Sequence, residues 1–240
     1  MRKIYTLVLF TVLLVFTIFN NAGFINKKLS NRRNVESYSN QIVTTLSEVP
    51  AFNGKPYIVI NGNIPFFKES DLTLTPLEFY GELDYLGRCT SAKALVGKET
   101  MPTEKRGSIG SVKPTGWQVS KYNFIEGKYL YNRCHLLGYQ LTAENANPKN
   151  LITGTRYLNT VGMLPFENMI ADYIKETGNH VLYRVIPIFH GEELVARGVL
   201  MEARSIEDYG DGILFNVYCY NNQPKVDINY MTGENFLTKI

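Results

Sequence analysis

Apolar and polar positions along the chain sort into three kinds of segment. Residues 4–19, "IYTLVLFTVLLVFTIF", form an uncharged apolar run directly behind Met1-Arg2-Lys3. A basic start before such a run predicts that 1–23 is a secretory signal, either cleaved or kept as a signal-anchor. The run falls short of the roughly 20 residues that a spanning helix needs. A second kind of segment is short, β-branched and aromatic, and predicts strands. "KPYIVINGN" (55–63) reads as a strand ended by an Asn-Gly turn, and 78–97 as a long strand interrupted at Gly87. Residues 115–122 and 128–141 read as two more strands with "NFIEGK" between them as a hairpin, followed later by 180–189, 193–206 and 212–221. The third kind occurs once, at 165–178. There Phe166, Met169, Ile170, Tyr173 and Ile174 recur at helical spacing, with Pro165 in the first turn and Gly178 at the stop. Strands joined by short turns predict an antiparallel sheet, so residues 51–240 are expected to form one α+β domain. Residues 24–50 are polar and are expected to be a linker or a loosely attached segment.

Composition agrees with a folded chain, since 45% of the 240 residues are hydrophobic, enough for one sizeable core. The formal charge of +3 conceals a strong asymmetry. Residues 1–33 carry six basic and no acidic groups, whereas 34–87 carry two against seven and 157–240 six against eleven. The middle segment, 88–156, reverses this with eleven basic against four acidic residues. A positive segment in an otherwise acidic body suits a polyanionic substrate. Cys89, Cys134 and Cys219 contain no CxxC spacing, which excludes a zinc ribbon. One disulfide with one thiol, or three buried thiols, are both compatible with the count.

The basic segment contains "YNRCHLLGYQLTAENANPKNLITGTRYLN" (131–159), which places His135 beside Arg133 and ahead of an asparagine-rich loop with few carboxylates. Hydrolysing a phosphodiester requires a base for water, positive charge against the phosphate and neutralisation of the departing oxygen. A neutral imidazole suits the first task near pH 7. A hydrated Mg²⁺ suits the other two, and it accepts few protein ligands. An asparagine amide oxygen can therefore anchor it when substrate phosphate supplies a further ligand.

"NRCHLLGYQL…NPKNL…N" resembles the DNA/RNA non-specific endonucleases of the ββα-metal superfamily, especially the secreted streptococcal type. Their signature is Asp-Arg-Gly-His on a strand, followed by an asparagine that opens the crossing helix. "MPTEKRGSIGSVKPTGW" and "MLPFENMIADYIKETGNHVLYRV" add to the likeness. The resemblance implies a ββα-metal finger with crossing helices, and a nuclease acting on DNA and RNA with Mg²⁺, for which Mn²⁺ can stand in. It implies that His135 is the general base, Asn150 the direct metal ligand and Asn159 its support. Glu167 would orient waters around the metal, and Arg133 or Arg106 would contact the phosphate. It further implies cleavage to 5′-phosphate ends, and secretion or tethering on the outer face of the membrane. No protein inhibitor is assigned by the sequence. Asn132 and Cys134 depart from the signature, standing where the pattern has aspartate and glycine.

His180 and His190 flank an apolar strand and are read as structural. Cys134 and His135 are neighbours on a strand, so they point to opposite faces and cannot form a thiol–imidazole dyad. Two other function classes are a surface module that holds nucleic acid without cutting it, and a cysteine hydrolase built on Cys89 and His135.

Overall fold

Residues 49–239 are described by the computed structural model, so the leader 1–23 and nearly all of 24–50 lie outside the described residues. The strands are β1 (Tyr57–Val59), β2 (Glu78–Tyr80), β3 (Ala92–Val96), β4 (Tyr131–His135) and β5 (Leu151–Thr155). They continue with β6 (Val181–Ile188), β7 (Gly198–Ser205), β8 (Leu214–Tyr220), β9 (Val226–Ile228) and β10 (Asn235–Leu237). A single helical turn, α1 (Tyr139–Thr142), follows β4, and the long helix is α2 (Leu164–Thr177). Ala51–Ile240 forms one compact unit. Among the described residues no helix is long and apolar enough to cross a membrane.

The main sheet is antiparallel throughout, in the order β1-β8-β7-β6-β3-β2. Its central strands β6, β7 and β8 lie within the runs 180–189, 193–206 and 212–221 read as strands from sequence, and they are buried almost end to end. Helix α2 covers one face, where Phe166, Ile170 and Ile174 join Val185, Met201 and Phe215 in a single core. Pro165 in its first turn and Gly178 at φ +78° bound the helix as expected. Its buried stripe differs from the predicted one. Glu167 and Ala171 are inside with Phe166, Ile170 and Ile174, whereas Met169 is exposed.

Other local expectations change as well. The run 78–97 is two strands that pair with each other, β2 with β3, reversed by a turn in which the Asp84 carboxylate accepts from the Leu86 and Arg88 N–H groups. Residues 115–122 form an irregular loop with one bridge, Lys121 to Tyr129, because Pro114 lacks a donor and Gly116 sits at φ +66°. The predicted strand 128–141 is extended only over β4. A strand absent from the sequence reading, β5, pairs with β4 as a separate two-stranded ribbon that sets His135 opposite Leu151. The chain then passes through a π-helical turn, Leu158–Met163, directly into α2. All three cysteines are free and buried.

Candidate active site

The ribbon β4–β5 followed by α2 gives a strand–strand–helix unit, and the signature residues sit where these elements meet. The two-residue period of β4 divides them. Arg133 and His135 face the loop that precedes β4. Asn132 and Cys134 face the π turn and reach Asn159.

His135 is nearly buried, at 6% exposure, and both ring nitrogens are engaged. Nε2 lies 2.7 Å from the Asn145 carbonyl oxygen, which can only accept, so Nε2 carries the proton and Nδ1 the lone pair. Arg106, an exposed residue on the preceding loop, brings Nη2 to 3.2 Å from that Nδ1. Burial is the main cause that pushes the imidazole down to about 4, helped by the Arg106 charge and opposed by the Asn145 hydrogen bond. The ring is therefore neutral at physiological pH, as a proton acceptor must be.

Glu167 brings the only buried carboxylate of α2 to this region. Its oxygens press against Gly138, three residues beyond His135, where a side-chain Cβ would come within 2.7 Å of them. Burial raises its carboxyl to about 7, against the lowering effects of the Gly138 N–H and of Arg106. The charge of Arg106 lowers His135, Glu167 and Cys134 alike.

The two asparagines assigned from the signature stand in different surroundings. Asn150 is fully buried, and both ends of its amide are used by one backbone residue. Oδ1 accepts from Leu137 N–H at 2.9 Å and Nδ2 donates to Leu137 C=O at 3.0 Å. Fully buried and bonded at both ends to Leu137, Asn150 braces the loop that follows β4. Asn159 instead stands on the first turn of the helical segment and is half-buried. Its Oδ1 accepts from the Cys134 thiol at 3.1 Å, and its Nδ2 donates to Asn132 Oδ1 at 3.2 Å. A carbonyl oxygen has two lone pairs, and one remains.

The Arg133 guanidinium donates to the Val112 and Gly110 carbonyls and stacks 4.1 Å over the Trp117 ring, and so fastens the 110–117 loop to β4. Arg106 is the arginine that meets the base. Cys89 donates to the Pro148 and Leu151 carbonyls and burial raises it to about 11, which removes it as a nucleophile. His180 is held between Glu207 and Glu99. Among the described residues no group of three or more His, Cys, Asp or Glu side chains could hold a metal. Sequence reasoning did not single out Asn145 or Gly138. Asn145 acts through its backbone carbonyl, which leaves no side-chain signal.

Comparison with known proteins gives three kinds of match. A family model described as DNA/RNA non-specific endonuclease matches residues 73–207. A deoxyribonuclease of Streptococcus dysgalactiae subsp. equisimilis is 34% identical over 119 residues, which cover 47% of this chain and 34% of that protein. The chain thus spans about a third of the length of that curated relative. NucA from Streptococcus agalactiae with no metal bound shares the fold at a TM-score of 0.70 and 22% identity, over 84% of this chain and 96% of that one. The same protein with a magnesium ion bound gives 0.69 at 21% identity, over 85% and 96%. Sda1 nuclease with a bound zinc ion gives 0.56 at 27% identity, over 68% and 81%.

Proposed function

Because the chain belongs to the DNA/RNA non-specific endonuclease family, we propose that it is an exported, divalent-cation-dependent endonuclease that hydrolyses phosphodiester bonds of DNA and RNA. The observation that carries this reading is the fixed imidazole. With the Nε2 proton committed to the Asn145 carbonyl, Nδ1 is the atom that takes a proton from attacking water. The water oxygen bonds to phosphorus as the bond to the 3′ oxygen breaks, leaving a 5′-phosphate end. Arg106 occupies the same Nδ1 lone pair in this structure. A phosphate oxygen is the stronger acceptor, so substrate draws the guanidinium away and frees the base as it gains a positive partner.

The residues at the start of the helical segment fit a hard cation. Asn159 retains an oxygen lone pair, and Glu167 is a buried carboxylate that has the Gly138 N–H but, among the described residues, no ion pair to offset its burial. Oxygen donors of this kind suit Mg²⁺, with Mn²⁺ able to stand in, better than they suit a metal that prefers nitrogen and sulfur. Such an ion would supply positive charge to the phosphate and its departing oxygen. Asn159 rather than Asn150 is its amide ligand, and Glu167 orients the surrounding water. Export rests on the basic start and apolar run of residues 1–23.

Nicking of supercoiled plasmid tests the reading. Wild-type protein is expected to cut with Mg²⁺ and not with EDTA, and His135→Ala to lose about 10²–10⁴-fold in rate while still retarding DNA in a gel. Cutting that survives EDTA, or that His135→Ala leaves intact, overturns the assignment. Wild-type protein that binds DNA without cutting it belongs to the non-cleaving class.

A further inference from the structure

We propose that the Cys134 thiol is a positioning residue for the cation site: it decides which end of the Asn159 amide faces the ion. The inference rests on the reading of Asn159 as a cation ligand. An asparagine amide has two nearly isosteric ends, and only its oxygen binds a cation, so something must choose between them.

Asn132 alone cannot choose. Its Oδ1 accepts from Asn159 Nδ2 at 3.2 Å, but an amide can turn over and then donate to Asn159 Oδ1 equally well. An aspartate at this position would accept only, and would fix the neighbouring amide by itself. With Asn132 in place, the choice passes to the next residue on the same face of β4. Cys134 Sγ lies 3.1 Å from Asn159 Oδ1. The thiol is fully buried, and Asn159 Oδ1 is the nearest acceptor to its one proton, ahead of Met163 Sδ at 3.5 Å and the His135 carbonyl at 3.8 Å, so it acts as a donor there. A donating S–H requires the oxygen end of Asn159, which then leaves Nδ2 for Asn132.

The thiol is held where this contact needs it. It lies over Gly154 of β5, where a Cβ would come within 2.6 Å of Cys134 Cβ and 3.2 Å of Sγ. On its other side Met163 Sδ, from the end of the π turn, is 3.5 Å away. A side chain at 154 would push Cys134 off Asn159. Glycine at 154 and cysteine at 134 therefore work as a pair across the ribbon. The two departures from the Asp-Arg-Gly-His pattern are coupled: the loss of an acceptor-only group at 132 is offset by a donor at 134.

Calorimetric titration of Mg²⁺ into the protein without nucleic acid, beside plasmid cleavage at saturating Mg²⁺, tests this. Cys134→Ala is expected to weaken Mg²⁺ binding about three- to tenfold while the rate at saturation stays within about twofold, the loss of one hydrogen bond. Cys134→Ser keeps a donor and is expected to recover most of the affinity. Adding Asn132→Asp to Cys134→Ala is expected to restore it, because the carboxylate fixes the amide without the thiol. Unchanged Mg²⁺ affinity in Cys134→Ala, equal losses in Cys134→Ala and Cys134→Ser, or no rescue by Asn132→Asp each overturn the proposal. Wild-type protein that takes up no Mg²⁺ overturns the cation site itself and the positioning with it, whereas failures confined to the variants leave the cation site standing.

Discussion

Asn150 and Asn159 bring the same amide to two ends of β5 in opposite circumstances. The first closes the 136–150 loop. It bonds the Leu137 backbone in both directions, and its own carbonyl accepts from Leu136 N–H at 2.9 Å. Since His135 pairs with Leu151 immediately beyond it, Asn150 braces the loop that joins His135 to its partner strand. The second stands on a π turn, whose wider i to i+5 spacing is common at functional positions. There the amide is held at both ends by side chains yet keeps an open oxygen lone pair. A polar side chain close to the proposed base is available for chemistry only when the surrounding backbone has not already consumed it. That accounting separates a brace from a ligand where residue type cannot.

The widest separation between the two is expected on activity. Asn159→Ala should lower cleavage about 100-fold or more at ordinary Mg²⁺, with the thermal midpoint little moved and part of the loss recovered at high Mg²⁺. Equal activity in that variant would return the ligand role to another group.

Asn150→Ala should break the pattern in the other direction. It strands the Leu137 N–H and C=O in a buried loop, at a cost of about 2 kcal/mol or somewhat more. For a unit of this size that is a fall of roughly 4–8 °C in Tm. Activity per folded molecule, measured well below the new midpoint, should stay within several-fold of wild type, and Mg²⁺ affinity should be unchanged. A variant as stable as wild type but unable to bind Mg²⁺ would reverse the comparison.

What sequence left unread around these two residues lies in β5. "LITGT" is five residues long, contains Gly154 and runs almost directly into the helical segment, so it carries little strand signal of its own. Its pairing with β4 is set by position across the ribbon, not by local pattern. With that strand unseen, the asparagine that opens the helix is taken to be the one before β5 rather than the one after it. The strands β6, β7 and β8 were legible because each is long, rich in apolar residues and bounded by turns, and together they specify the antiparallel sheet. Helix α2 was legible in extent but not in facing. An apolar count selects Met169, while the structure buries Glu167 in its place, a local departure of the kind expected where a fold accommodates a site. His135 stood out through its motif. The hold of Asn145 on it could not, because a backbone carbonyl looks alike in every residue.

The smallest effect concerns pH and sharpens the contrast between the base and its acidic neighbour. A general base works unprotonated, so activity falls as pH drops through the pKa of its conjugate acid. Burial first, and Arg106 second, push His135 down to about 4. The acid limb of kcat/KM, which reports the free enzyme, should therefore lie near 4, where an imidazole at its usual value of about 6.5 would already lose about tenfold by pH 5.5. Arg106→Ala removes one of the lowering causes, so its normalised profile should shift its acid limb upward, apart from any loss in absolute rate. A limb near 7 in the wild type would assign the titration to Glu167, which burial raises to about 7. A limb that Arg106→Ala does not move would mean that the guanidinium does not rest against the imidazole in solution.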